Sequence, residues 1–245
     1  MLDHSNSRIV LLEDGSGAPV RTVPLNFRVG RWAVLDDSLM ALSRRPSGNS
    51  GEPLFSILSL HDGDVIESIG QTRPELAELD HWVLSKGRDG GFWAASIWDY
   101  RFHRWTSDTG LVATPDDFGP WFEDYGEWDE ETYVTQPPPM TVQHVWESRS
   151  GLLWVYSAVP DDDWRAEPEG GPTPEWTRAT FDTVVEVIDI ASSTLVTRSR
   201  HDNWLAPVCG SESMYTVTET ENGDTRMEVI SVRLEDTQTA KPPDV

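Results

Sequence analysis

The sequence predicts an all-β chain of four-stranded antiparallel units, about four to five of them in 245 residues. Three observations predict it: a strand–turn–strand unit that recurs, a turn that returns at a near-constant interval, and a near absence of helical periodicity. Repeated four-stranded units are the blades of a β-propeller.

The recurring unit comes first. Segments alternating β-branched or aromatic residues with polar ones occur at 7–13, 54–60, 100–105, 184–190 and 226–234, and period-two alternation argues strand. Four of them run into a polar turn and another strand. The turns are Asp14-Gly-Ser-Gly17, His61-Asp-Gly63, Ser107-Asp-Thr-Gly110 and Ala191-Ser-Ser193. Gly, Asp and Ser supply tight-turn backbone and local side-chain bonds, so each pair reads as a hairpin. A further strand precedes at 36–42, 89–95, 150–156 and 212–217, and an apolar strand lies upstream of each at 32–35, 81–84, 142–146 and 205–208.

The interval comes next. Gly17, Gly63 and Gly110 follow one another at 46 and 47 residues, Ser193 comes 83 residues later, and Asp236 another 43 on. Propeller repeats run about 40–50 residues, so the long interval is one repeat carrying insertions at 118–140 and 160–177. The best helical stretch is Arg73-Pro-Glu-Leu-Ala-Glu-Leu79, two turns at most. Five third strands stand against four outer ones, and the chain opens inside a unit. The reading is therefore a single propeller domain over 1–240 with blades expected before Met1, and a flexible tail over 241–245.

Gly90-Gly-Phe-Trp93 and Gly151-Leu-Leu-Trp154 resemble the D-x-x-G-x-L-W segment of six-bladed propellers with NHL-like or two-component-regulator-like repeats. Ahead of Ser150-Gly151 the acid is not where that pattern wants it, Glu147 being the nearest, and Leu39-Met40 lacks the Trp. The resemblance implies a fold and no chemistry. It also implies export in bacteria where a signal precedes the repeats, and a cytoplasmic place otherwise. Residues 1–9 have no apolar core behind a basic region and do not read as a signal peptide.

Composition narrows the partners. Forty-two acids against nineteen bases give a formal charge of −23, which repels phosphate backbones and argues against nucleic acid. No apolar run approaches the length of a membrane-spanning helix. Cys209, the one cysteine, permits neither an internal disulfide nor a thiolate cluster and reads as a small buried hydrophobe.

The insertions hold the candidate site. Trp121, Tyr125 and Trp128 alternate with carboxylates in the first; Trp164 and Trp176 flank the second. Aromatic rings with polar tips can stack on sugars or grip a protein. The competing reading is a strap packing those rings over the propeller face. Asp161, Asp162 and Asp163 offer oxygens to calcium, the one cofactor considered, although consecutive residues converge poorly on one ion. Trp93, Trp105, Trp146 and Trp154, with Trp32, Trp82, Trp98 and Trp204, are expected to pack between blades. His81 and His144 hold similar positions ahead of blade strands, so both are expected near the central channel. No nucleophile elbow, phosphate loop or dinucleotide fingerprint occurs. The sequence thus points to a non-catalytic binding or scaffold module for a protein or carbohydrate. The alternative is a lactonase- or glycosidase-like hydrolase with carboxylates at the channel.

Overall fold

A computed structural model describes residues 2–3, 7–13, 15–45, 51–71, 81–98, 100–113, 136–171, 173–208, 213–219, 222 and 224–234. Among them, eighteen strands form five antiparallel sheets, each strand pairing with its neighbour in sequence. Blade 1 comprises β1 (Leu2–Asp3), β2 (Arg8–Leu12) and β3 (Pro19–Pro24). Blade 2 comprises β4 (Val29–Val34), β5 (Leu39–Arg44), β6 (Phe55–Ser59) and β7 (Val65–Ile69). Blade 3 comprises β8 (Trp82–Lys86), β9 (Phe92–Ser96), β10 (Phe102–Thr106) and β11 (Gly110–Ala113). Blade 4 comprises β12 (Thr141–Glu147), β13 (Leu152–Pro160), β14 (Phe181–Asp189) and β15 (Thr194–His201). Blade 5 comprises β16 (Ala206–Pro207), β17 (Ser213–Glu219) and β18 (Thr225–Ser231).

The first strands β4, β8, β12 and β16 pack against one another in succession, and the result is a β-propeller. Aligned on their turns, blade 1 shows the second to fourth strand positions and blade 5 the first to third. The 83-residue interval is a single blade, blade 4, as its spacing predicts. The expected helix at 73–79 lies outside the described residues. A helix the sequence reading did not anticipate runs over Pro174–Thr180, opened by a Thr173 cap whose Oγ1 accepts from the Trp176 N–H at 3.1 Å.

The turns carry the strain that the repeat predicts. Gly17, Gly63 and Gly110 have φ of +67°, +79° and +66°, and Ser193, at the matching place in blade 4, is itself left-handed at +52°. Gly63 also needs its missing side chain, because a Cβ there would sit 2.9 Å from Val23 of blade 1. Aspartates brace two turns, the one from β4 to β5 and the Ser193 turn itself. Asp36 accepts from Ser38 and the Leu39 N–H, and its pKa is lowered first by the Ser38 hydroxyl. Asp189 accepts from the N–H groups of Ser192 and Ala191, which lower its pKa likewise.

Four apolar clusters fill the spaces between successive sheets. Between blades 2 and 3 the rings of Phe55 and Trp82 meet edge-on at 5.4 Å, and Phe92 stacks on Trp105 at 5.5 Å. Pairs of this kind add about 0.5–1.5 kcal/mol each beyond their buried area. Buried carboxylates tie blades together as well. Glu147, at the end of β12, accepts from Trp93 Nε1 at 2.8 Å and from the Arg88 N–H at 3.1 Å, joining blade 4 to blade 3. Glu186 on β14 is 1% exposed; it accepts from Arg198 Nε at 2.9 Å and from the Tyr100 hydroxyl of blade 3.

Two expectations are corrected. Trp82, Trp93, Trp105 and Trp154 are buried and Trp98, Trp146 and Trp204 half-buried, but Trp32 is 44% exposed. Trp32, opposite Leu42 on β5, holds the place of the buried Leu84 in blade 3 and faces blade 1, which shows no first strand among the described residues to cover it. His81 and His144, in turn, are not equivalent. His81 precedes β8, whereas His144 lies within β12, past a bulge, opposite Tyr156 and 7% exposed. The bulge between Val142 and His144 shifts the pleat, so that His144 points between blades 4 and 5 beside the Tyr156 ring, 5.9 Å away.

Candidate functional site

One rim of the propeller gathers the starts of the first strands, and three contacts establish it. Ser43 Oγ lies 3.4 Å from the Trp82 carbonyl, the Val142 N–H donates to the Ile97 carbonyl at 2.8 Å, and the Leu205 N–H donates to Thr183 Oγ1 at 2.7 Å. Loops between blades and loops from second to third strands all open on this rim. The chain leaves β11 beside His103 and re-enters at β12, so the first insertion departs from and returns to it. The second insertion connects β13 to β14 at the same end.

Of the sequence-predicted residues, Trp121, Tyr125 and Trp128 lie outside the described residues. The second insertion is stitched to blade 4 by the Asp161 N–H bonding to the Thr180 carbonyl at 2.8 Å and the Trp164 N–H bonding to the Asp161 carbonyl at 3.0 Å. Trp176 is half-buried. Its indole N–H points at the carbonyls of Arg165 and Ala166, at 3.2 and 3.1 Å, and its ring meets Phe181 edge-on at 5.6 Å. Trp164 is half-buried too, with its Nε1 enclosed and unbonded. Asp162 and Asp163 are exposed and Asp161 half-buried. Among the described residues no three His, Cys, Asp or Glu side chains are grouped to hold an ion.

Asp161 and Asp162 stand instead in the field of Arg200. That guanidinium bonds Asp182 Oδ2 through Nε at 2.5 Å and the Pro160 carbonyl at 3.2 Å, and lies 3.7 Å from Asp162. The bond to Asp182 is the first cause of the raised Arg200 pKa, with all three aspartates adding. Asp182 is buried and its Oδ1 is unbonded.

The opposite side of the same rim is basic, a feature the sequence reading did not single out. Arg28, Arg31, Arg44 and Arg45 cluster where β4 begins and β5 ends, since Val29 pairs with Arg44 and the Arg45 N–H bonds to the Arg28 carbonyl at 2.9 Å. The sequence shows that four of nineteen bases fall within eighteen residues; only the pairing of β4 with β5 brings them together. Next door in blade 3, His81 holds the place of Arg28, its carbonyl accepting from the Ile97 N–H at 2.9 Å as that of Arg28 accepts from Arg45, and the Arg101 guanidinium lies over the Trp82 ring at 5.0 Å.

The sequence matches no family model and no curated protein. Solved structures do resemble it. A member of the DUF4221 family from Bacteroides vulgatus aligns with a TM-score of 0.56 at 11% identity, over 94% of this chain and 74% of its own. A putative exported protein from Bacteroides fragilis aligns at 0.52 and 9% identity, over 89% of this chain and 62% of its own. At such identities the likeness is one of fold alone.

Proposed function

We propose that this protein is a non-catalytic binding module that presents the loops of its strand-start rim to a protein or carbohydrate ligand. The observation that carries the reading is topological. The strand ends that flank the first insertion lie at the rim that also carries the second, with its Trp164 and Trp176. Long loops held on a rigid scaffold are where binding residues concentrate.

The disposition of the buried acids supports it further. Glu147, Asp182 and Glu186 are each bonded to Trp, Arg or Tyr side chains within or between blades, which is structural employment. Acid–base chemistry needs carboxylates that converge on a substrate, and these three are spent elsewhere in the fold.

The test is a screen of glycans and peptides against the full chain, followed by Trp164→Ala, Trp176→Ala and the triple replacement of Trp121, Tyr125 and Trp128. A ligand using the rim loses at least tenfold affinity in one of these variants. If every ligand found binds all of them as tightly as the parent, the rim is not the binding surface.

A further inference from the structure

A second site on the same rim follows from the arginine cluster. Gly30, Arg31, Ser43, Arg44, Arg45, His81, Trp82 and Ile97 enclose a pocket of about 50 Å³ between blades 2 and 3. A cavity needs only about 10–15 Å³ of such space to hold a water, so this one admits a polar group of several heavy atoms. Its floor is built. Gly30 brings the backbone so close to β5 that a Cβ would lie 2.8 Å from Ser43 Oγ, and that hydroxyl accepts from the Arg31 N–H at 2.7 Å.

Among the described residues, no carboxylate meets the three arginines of the pocket at ion-pair distance. Arg44 is fixed by hydroxyls and a ring: Nε donates to Ser56 Oγ at 2.7 Å, one terminal nitrogen to Ser68 Oγ at 3.3 Å, and the guanidinium sits 4.0 Å from the Phe27 ring centre. None of these neutralises it. Burial lowers its pKa, with Glu52 the one carboxylate acting against that. Arg31 and Arg45 are exposed, and among the described residues no carboxylate comes within ion-pair distance of either. In a chain with more than two acids per base, unpaired guanidinium groups gathered on one pocket are unexpected unless an anion completes them. The nearest acids of β4 and its turn, Asp36 and Asp37, lie at the other end of the strand. Six residues at about 3.3 Å each put Asp36 roughly 20 Å from Gly30, beyond the ~8 Å screening length at physiological salt.

We propose that this pocket is an oxyanion site, taking the phosphate or carboxylate end of a ligand against the guanidinium groups of Arg31, Arg44 and Arg45 with His81 at its edge. The planar guanidinium fork matches both anions in two-point contacts. The site lies on blades 2 and 3, away from the insertion aromatics, and does not depend on them.

The experiment titrates the full chain with inorganic phosphate, glutarate and uncharged glucose, following the amide resonances of Gly30, Arg31, Ser43, Trp82 and Ile97 and the Arg44 Nε–H by NMR. Phosphate or glutarate is expected to shift this set saturably at millimolar concentration, glucose to leave it still, and the tighter anion identifies the ligand end. Arg31→Gln/Arg45→Gln changes only exposed side chains and is expected to weaken binding at least tenfold with near-ultraviolet circular dichroism unchanged. Shifts that fail to saturate for both anions, or that survive the double variant undiminished, overturn the site. Trp164→Ala, which removes the proposed rim contact, leaves this titration unchanged, so the two readings fail separately.

Discussion

His144 makes stability depend on pH in a way that can be worked out in advance. The ring is 7% exposed between blades 4 and 5, and burial alone lowers its pKa from 6.5 to about 4. Below pH 6.5 the unfolded chain takes up a proton that the folded chain refuses until pH 4. The unfolded state therefore binds more protons across that window, and stability falls as pH falls through it. The loss from this residue is about 0.8 kcal/mol at pH 6, about 2 kcal/mol at pH 5 and about 3 kcal/mol at pH 4, and it is absent above pH 7.5. Carboxylates titrate in the same range, so the measurement must be a difference. Val83 holds the matching position in blade 3 and is buried, which makes His144→Val the fitting control. Urea unfolding followed by tryptophan fluorescence at pH 7.5, 6, 5 and 4.5 gives the stability of both proteins. The variant is expected to gain on the parent by these amounts as pH drops, with equal urea slopes. A difference that stays flat, or that turns against the variant in acid, refutes a histidine buried in its neutral form.

Three further outcomes follow from paired substitutions read by the same unfolding assay. Trp82→Ala removes a ring that is 1% exposed and should cost about 3–5 kcal/mol, whereas Trp32→Ala, the same change on a ring 44% exposed, should cost well under half of that; equal losses would mean Trp32 is covered. Arg198→Leu leaves the buried Glu186 carboxylate with the Tyr100 hydroxyl but no cation at ion-pair distance among the described residues, and should cost about 3 kcal/mol. The reverse change, Glu186→Leu, leaves a guanidinium that is 31% exposed and can turn to water, so it should cost less. Gly91→Ala places a Cβ 1.9 Å from the Trp105 carbonyl oxygen and should abolish folding or lower the midpoint severely, whereas Gly90→Ala meets nothing within 4 Å and pays only for its φ of +74°, about 1–2 kcal/mol.

Much of the fold was legible because blade strands carry local signals. The turn at Ser193 could be aligned with Gly17, Gly63 and Gly110 by spacing alone, and its left-handed φ of +52° agrees. The helix over Pro174–Thr180 escaped because its apolar content is one tryptophan; only the Thr173-Pro174 start marks it. Trp32 misled because a strand's alternation tells which side a residue faces and not whether anything covers that side. His144 misled for a different reason: the bulge after Val142 changes the pleat, and bulges leave no composition signature in a strand of this length. At the site, the insertions announced themselves by length and aromatics, but the arginine pocket required knowing that the start of β4 and the end of β5 meet.

Acidity, the strongest compositional feature of the chain, says little about where its acids act. Glu147 and Glu186 are drawn into the spaces between blades, where a tryptophan N–H, a tyrosine hydroxyl and arginine groups satisfy them. Asp36 and Asp189 are held by turn N–H groups that favour the ionised form. Carboxylates spent in this manner contribute to the net charge yet offer nothing to a ligand. A field of −23 spread over the whole surface is screened by salt over about 8 Å from each group, so what a ligand meets at any place on the rim is the local set. At blade 4 that set includes Asp161 and Asp162 beside Arg200; at blade 2 it includes Arg28, Arg31, Arg44 and Arg45. A single rim therefore presents two opposite electrostatic faces, and a ligand that spans both must carry a cationic or neutral part towards blade 4 and an anionic part towards blade 2.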